Sequence, residues 1–317
     1  MDIQPLLAII FCLAASSAAS AGAGQQPPST NSGTVKLHVT LQAPQDTKKA
    51  GLWIPYPVSG EFQKIENVKV DGDFTSKRIT EDPATGSKTL YAEWTGQVAG
   101  ERFVDLTFHA VASERKAAPE GSVGEDIPSG VMEYAKATAL IPTDGEIGAI
   151  AKASTEGKSS IEEKHHAVYE WVVRNTFRDP NVMGCGVGAV EQTLAKRGGK
   201  CVDISTVYVA LARAAGVPAR EVFGMRLGTE KGSSDITGGH HCWAEYYQPG
   251  RGWTPTDPAD VRKIMLAKNL TVEQAAEQRE YYSSSVDADR IVLGRWGRGI
   301  ILDPPQDGGP LNYLMYP

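Results

Sequence analysis

Between Gly33 and about Arg115 apolar residues recur at every second position in short runs, and beyond Gly130 they recur at the spacing of a helix face. Strands repeat their facing side chains every two residues and helices every 3.6, so a chain that changes period in this way folds as a β part followed by a helix-rich part. The runs Val35-Leu37-Val39-Leu41, Leu90-Ala92-Trp94 and Phe103-Asp105-Thr107-His109 are separated by clusters of Gly, Pro and Asp. One small sheet leaves a face uncovered, which predicts an antiparallel β-sandwich-type domain over residues 33–116. His38 and His109 fall in these runs with no Cys or carboxylate at metal-ligand spacing, and read as ordinary strand residues.

Residues 117–130, rich in Pro, Gly and acidic residues and without period, read as a linker to a second domain over residues 131–317. Helices are predicted at Glu146–Ala153 and Ser160–Asn175, the second with a cap-like start of Ser159 or Ser160 before Glu162 and Glu163. Its stripe of Ala167, Val168, Trp171 and Val172 assigns Trp171 to the core, and the tandem His165 and His166 to a solvated edge. The loop Gly184-Cys185-Gly186-Val187-Gly188 resembles a phosphate cradle only in its glycines, because no Lys-Ser or Lys-Thr pair follows and no strand and helix frame it. Farther on, Thr271–Tyr281 reads as a helix, Ile291–Leu293 and Ile300–Leu302 as edge strands, and Pro304–Pro317 as a tail that wraps over the domain.

The first 23 residues differ in kind. Leu6–Ala15 is an unbroken apolar and small-residue run, followed by small residues at cleavage-type spacing, which reads as a signal peptide over residues 1–23. Asp2 and the lack of a basic residue ahead of the run leave an uncleaved N-terminal segment as the alternative. The expected location is therefore secreted or periplasmic, without stable membrane insertion. With 38 acidic against 32 basic residues, nothing in the charge calls for a nucleic acid or an anionic membrane as partner. Loss of Cys12 with the leader leaves Cys185, Cys201 and Cys242, an odd number, so at least one thiol stays unpaired even in an oxidising compartment.

One helix start and one hairpin carry the chemistry. Gly198-Gly199-Lys200-Cys201 leads into Ile204, Tyr208, Leu211 and Ala215 at helical spacing, and Gly216 and Pro218 end the helix. A thiol in the first turn faces unpaired N–H groups and the positive end of the helix dipole, which favour the thiolate and can also receive an oxyanion. Downstream, His240–Tyr247 and Trp253–Asp257 read as the strands of a hairpin turning at Gln248–Gly252. A hairpin symmetric about Pro249 sets His241 directly opposite Asp257, on the face that His240 and Cys242 turn away from. An imidazole there can act as base toward the thiol and acid toward a leaving amine, and the carboxylate can fix its tautomer. A zinc site of His240, His241, Cys242 and Cys201 is disfavoured, because neighbouring strand residues diverge.

At these residues the sequence resembles the transglutaminase-like family: the Gly-x-Cys helix start, Arg213-Ala-Ala-Gly-Val-Pro-Ala-Arg220, His241-Cys-Trp-Ala-Glu245 and Gly252-Trp-Thr-Pro-Thr-Asp-Pro258. The resemblance covers about Ile161 to Pro258 and implies a papain-like α+β fold with Cys201, His241 and Asp257 as catalytic triad. The family's His stands two places before Trp, which selects His241 over His240. It further implies a protein or peptide substrate, acyl transfer or hydrolysis at an amide, and no cofactor. No acidic loop of calcium-binding pattern is present, so calcium dependence is not implied. Gln192 and Trp171 are the candidates for a second oxyanion donor. The rival readings are a cysteine peptidase or amidase with no cross-linking activity, and a non-catalytic exported binding module. The oligomeric state is not legible in the sequence.

Overall fold

The computed structural model describes residues 28–228, 232–295, 299–311 and 313–316, so the signal-peptide reading lies outside the described residues. The first part consists of β1 (Thr30–Ala43), β2 (Lys49–Tyr56), β3 (Gln63–Gly72), β4 (Ser76–Glu81), β5 (Lys88–Thr95) and β6 (Gly100–Ser113). They form two antiparallel three-stranded sheets, β1-β6-β3 and β2-β5-β4. Alternation along β6 turns Val104, Leu106, Phe108 and Ala110 inward, against Ile54, Leu90 and Ala92 of the other sheet. The two sheets share this core, and the antiparallel sandwich is present as expected. His38 and His109 lie on its outer surface, where His38 pairs with Asp105 at 2.6 Å.

A two-residue strand, β7 (Arg115–Lys116), leaves the sandwich, and residues 117–128 hold neither helix nor strand. The mixed helix and sheet part that follows contains α1 (Ser129–Met132), α2 (Gly145–Ser154), α3 (Ile161–Asn175), β8 (Phe177–Arg178), α4 (Val190–Lys196), β9 (Gly198–Gly199) and α5 (Cys201–Ala214). Next come β10 (Ala219–Arg226), β11 (His240–Gln248), β12 (Gly252–Thr256), α6 (Pro258–Lys268), α7 (Ala276–Ser284), β13 (Ser285–Val286) and β14 (Arg290–Gly294). The sheet order is β12-β11-β10-β14, all antiparallel.

Helix α5 is the pillar of this part. Every residue from Cys201 to Arg213 is buried, as a central helix with apolar residues on every side requires, and its polar Asp203, Thr206 and Arg213 find partners inside the protein. It packs on the sheet face that carries Cys242, Ala244 and Tyr246. At its end Gly216, with φ +79°, lets Val217 N–H return to the Ala212 carbonyl at 2.8 Å. Ser160 caps α3 through a capping box with Glu163, as the sequence predicts.

Several expectations need correction. The hairpin is centred on Gly250, pairing Tyr246 with Thr254 and Ala244 with Thr256, so its turn occupies only residues 249–251. His241 and Asp257 are therefore diagonal rather than directly opposed. The shift of two positions preserves the face, because side chains repeat every second residue. His165 is no solvated edge: it is buried, stacked on Tyr246 at 3.7 Å and bonded to the Tyr208 hydroxyl at 2.8 Å, while His166 is exposed. Trp171 is half-buried rather than enclosed, with the Arg197 guanidinium over its ring. Helix α7 starts at Ala276, five residues later than expected, because residues 272–275 form a turn. Ile291–Leu293 lies in the edge strand β14, but around Ile300 the described residues form only a single bridge, to Leu311.

Candidate active site

Cys201 is the first residue of α5, and the loop before it is built to hold it there. The Asp203 carboxylate accepts from the backbone amides of Lys200 (3.0 Å), Val187 (3.0 Å) and Gly188 (2.8 Å), tying the glycine loop to the helix start. A side chain on Gly186, where φ is +91°, or on Gly199 would fall onto Asp203. The loop's glycines thus serve a close approach by a carboxylate, not by a phosphate. Val202 N–H donates to the Cys185 carbonyl at 2.9 Å, bringing that cysteine beside the helix start. Asp203 was missed in the sequence, although its place two residues into the helix is typical of an acidic first turn.

His241 is the second residue of β11, and its Nε2 lies 2.7 Å from Asp257 Oδ2. Asp257 caps α6: its Oδ1 accepts from Asp260 N–H at 2.9 Å, and Pro258 occupies the first helical position. With Nε2 engaged, Nδ1 is the nitrogen left to face the Cys201 thiol. The Cys201 pKa is held well below that of an ordinary thiol by hydrogen bonding from the Cys185 and Cys242 thiols, with the His241 imidazole adding to it against the cost of burial. Burial and Arg226 push the imidazole pKa down, but the charges of Asp257 and Asp260 outweigh them and its pKa is raised. The opposite shifts favour a thiolate beside an imidazolium.

The three cysteines among the described residues are buried free thiols, so Cys185 and Cys242 do not form a disulfide. Cys242 does turn away from His241, yet that side of the sheet is the one α5 covers, which brings it beside Cys201. The Cys185 thiol reaches the His240 carbonyl at 3.4 Å.

Behind the carboxylate lies a group the sequence did not disclose. Arg290 donates to Asp257 Oδ2 (2.6 Å), Asp260 Oδ2 (2.8 Å) and Asp287 Oδ2 (2.6 Å), and Arg226 also pairs with Asp260. The Asp260 pKa is pushed up by burial, but His241, Arg226 and Arg290 pull it below the usual carboxylate range. His241, Asp257 and Asp260 are spaced closely enough to hold a metal ion. Two guanidiniums already bind the carboxylate oxygens, so the positive charge a metal would bring is supplied by arginine. Of the suggested oxyanion donors, Gln192 is exposed on α4 and Trp171 lies under Arg197. The immediate neighbours of the thiol are Cys185, Cys242 and His241.

Cys201, His241 and Asp257 are 1%, 4% and 0% exposed. The C-terminal tail contributes to this enclosure. Tyr313 donates to the Gly186 carbonyl at 2.7 Å and stacks on Phe223, the residue paired with Cys242 across β10 and β11. Tyr316 sets its ring against that of His240. The tail also runs past the sandwich, where Trp53 Nε1–H donates to the Pro304 carbonyl at 3.1 Å.

Comparison with known proteins finds relatives of this chain. Residues 148–258 match the profile of the transglutaminase-like superfamily. An uncharacterized protein of Haemophilus influenzae is 34% identical over 296 residues, which is 85% of this chain and 80% of that protein. A protein-glutamine gamma-glutamyltransferase of Pseudomonas aeruginosa is 36% identical over 66 residues, 20% of this chain and only 10% of that protein. A crystal structure of a candidate cysteine protease from Cytophaga hutchinsonii superposes with a TM-score of 0.55 at 16% identity, covering 73% of this chain and 78% of that one. At that identity the likeness concerns the fold.

Proposed function

From the premise that the chain belongs to the transglutaminase-like superfamily, we propose that it is a thiol enzyme acting at an amide of a protein or peptide, with Cys201 as nucleophile, His241 as acid and base, and Asp257 as the group that orients His241. The observation that carries this reading is the chain of contacts from a thiol at a helix start, through a buried imidazole, to a carboxylate 2.7 Å away.

In the first half-reaction the Cys201 thiolate attacks the amide carbonyl carbon, and the electron pair moves to oxygen. The Val202 amide is already bonded to Cys185, so we assign the developing oxyanion to the Cys201 amide. Collapse expels the nitrogen, which takes its proton from the His241 imidazolium, and leaves a thioester. In the second, an amine or a water gives a proton to His241 and attacks the thioester, restoring thiolate and imidazolium. Asp257 holds Nε2–H and so keeps Nδ1 toward the sulfur throughout.

Transfer and hydrolysis use the same groups and differ in the second nucleophile. Incubating the purified protein with a glutamine-containing peptide and a labelled primary amine tests both at once. Incorporated label supports transfer. Peptide acid or cleavage product without label supports hydrolysis. No reaction of wild type above Cys201→Ala, across a panel of glutamine peptides and peptide amides, would overturn the enzyme reading in favour of a binding module.

The apolar leader supports export to the periplasm or beyond. No helix among the described residues is long and apolar enough to cross a membrane. Comparing the N-terminal residue and the cell fraction of the mature protein tests this. A chain retaining residue 1 in the cytosol would contradict it.

A further inference from the structure

The sheet face opposite α5, which carries Trp243, bounds a cavity of about 480 Å³ at the seam with the sandwich. Its size lies within the range of small-molecule sites. Arg115, Arg220, Arg251, Arg295, Trp243 and Trp253 are among the residues that line it. The charges around it do not balance. Glu245, fully buried behind the wall, is the shared acceptor of Arg115, Arg220 (2.7 Å) and Arg295 (3.3 Å). Three guanidiniums on one carboxylate leave that cluster with two positive charges in excess among the described residues. Arg251 adds another: it donates to the Ala118 carbonyl at 2.7 Å and pairs at 3.5 Å with Glu120, whose carboxylate is exposed.

Charges held away from bulk water are costly unless paired, and a guanidinium fork matches a carboxylate or phosphate group. The side chains of Arg115, Arg220 and Arg295 are 11%, 18% and 32% exposed, so they are drawn out of bulk water without being sealed from the cavity. A second observation is independent of the charges. The Trp243 indole N–H is buried and has no hydrogen-bond partner among the described residues, although Trp243 lines this cavity. The aromatic walls set the shape: Arg220 lies over the Trp253 ring at 3.9 Å, and Arg115 over the Phe62 ring at 4.9 Å.

We propose that this cavity binds a small, flat dianion whose two negative charges sit on oxygen, as two carboxylates or as a phosphate ester. The oxygens meet the guanidiniums shared by Glu245, the indole N–H supplies a further donor, and the flat body lies among the aromatic side chains. The site is separate from the thiol, although Trp243 stacks on the His241 ring at 6.0 Å and Arg290, another wall residue, holds Asp257.

The test is calorimetric titration of the full chain at low salt with phthalate and with phenyl phosphate. Benzamide serves as the neutral control and sodium chloride as the control for ionic strength. Saturable binding of one equivalent of at least one dianion is expected, and which of the two binds tells carboxylate from phosphate recognition. Arg295→Gln and Arg251→Gln, both in partly exposed side chains, should each weaken it at least threefold with an unchanged circular dichroism spectrum. Trp243→Phe should also weaken it, by removing the N–H while keeping a ring. Cys201→Ala should bind as wild type does. The proposal is overturned if neither dianion saturates, if benzamide or chloride reproduces the heats, or if both arginine variants bind as tightly as wild type. Loss of binding in Cys201→Ala would place the anion at the thiol and overturn it equally.

Discussion

At the residue scale, the site rests on what holds a buried imidazole between a thiol and a carboxylate. Replacing Cys201 by Ala removes the nucleophile, and the expected outcome is loss of turnover with the fold kept, measured with the labelled-amine and peptide-acid assays. Asp257→Asn keeps the size of the side chain but offers an amide where His241 needs an acceptor. By analogy with other triads, turnover should fall on the order of 10³-fold or more. Asp257→Ala should do further harm, since it removes the α6 cap and one of the carboxylates that pair Arg290, both fully buried. Leaving a buried ion pair broken costs about 3–5 kcal/mol, to be read from denaturant unfolding against wild type. The triad could be read because its members sit in short, locally patterned segments, and because a register error of two residues leaves the face unchanged. Arg290 could not be read: it lies 33 positions beyond Asp257 and meets it only through the folding of β14 beside β10.

At the element scale, the glycine loop and the tail decide how the thiol is presented. Gly186→Ala forces a side chain onto Asp203 at a backbone angle that side chains rarely adopt, so it should lower the melting temperature and reduce turnover together. Gly184→Ala, which lies against the Tyr316 hydroxyl instead, should leave the Asp203 anchor in place and cost less turnover. Removing residues 311–317 takes Tyr313 from Phe223 and Tyr316 from His240. Cys201 should then be alkylated faster by iodoacetamide in the folded protein, and an unchanged rate would show that the tail does not shield it. The sequence showed a tail that wraps but not what it wraps over, because its contacts with Gly186, Phe223 and Trp53 span most of the chain. Likewise the glycines of residues 184–188 were visible, while the carboxylate that approaches them was not.

At the scale of the whole molecule, two periodicities yielded two sets of elements, but not the way they join. Met225, Leu227, Ile291 and Leu293, from β10, the residue after it and β14, are buried in the same apolar cluster as the sandwich strands. Gln63 of β3 exchanges hydrogen bonds with the Val292 backbone at 2.7 and 2.9 Å. A chain cut to residues 114–317 would expose these side chains and leave β14 without that support, so it should lose cooperative thermal unfolding or aggregate; a sharp transition at the wild-type temperature would show the sandwich to be dispensable.

The account depends most on the ionic state of one sulfur, which the ultraviolet absorbance of thiolate reports whether or not reagents can reach it. The difference spectrum of wild type minus Cys201→Ser, followed over pH, should retain a thiolate band well below the ordinary thiol pKa of about 8.5 and lose it only in acid. The same difference measured in a His241→Gln background should titrate at higher pH. A wild-type band that grows in only near the ordinary value, unchanged by His241→Gln, would contradict the pairing of Cys201 with His241.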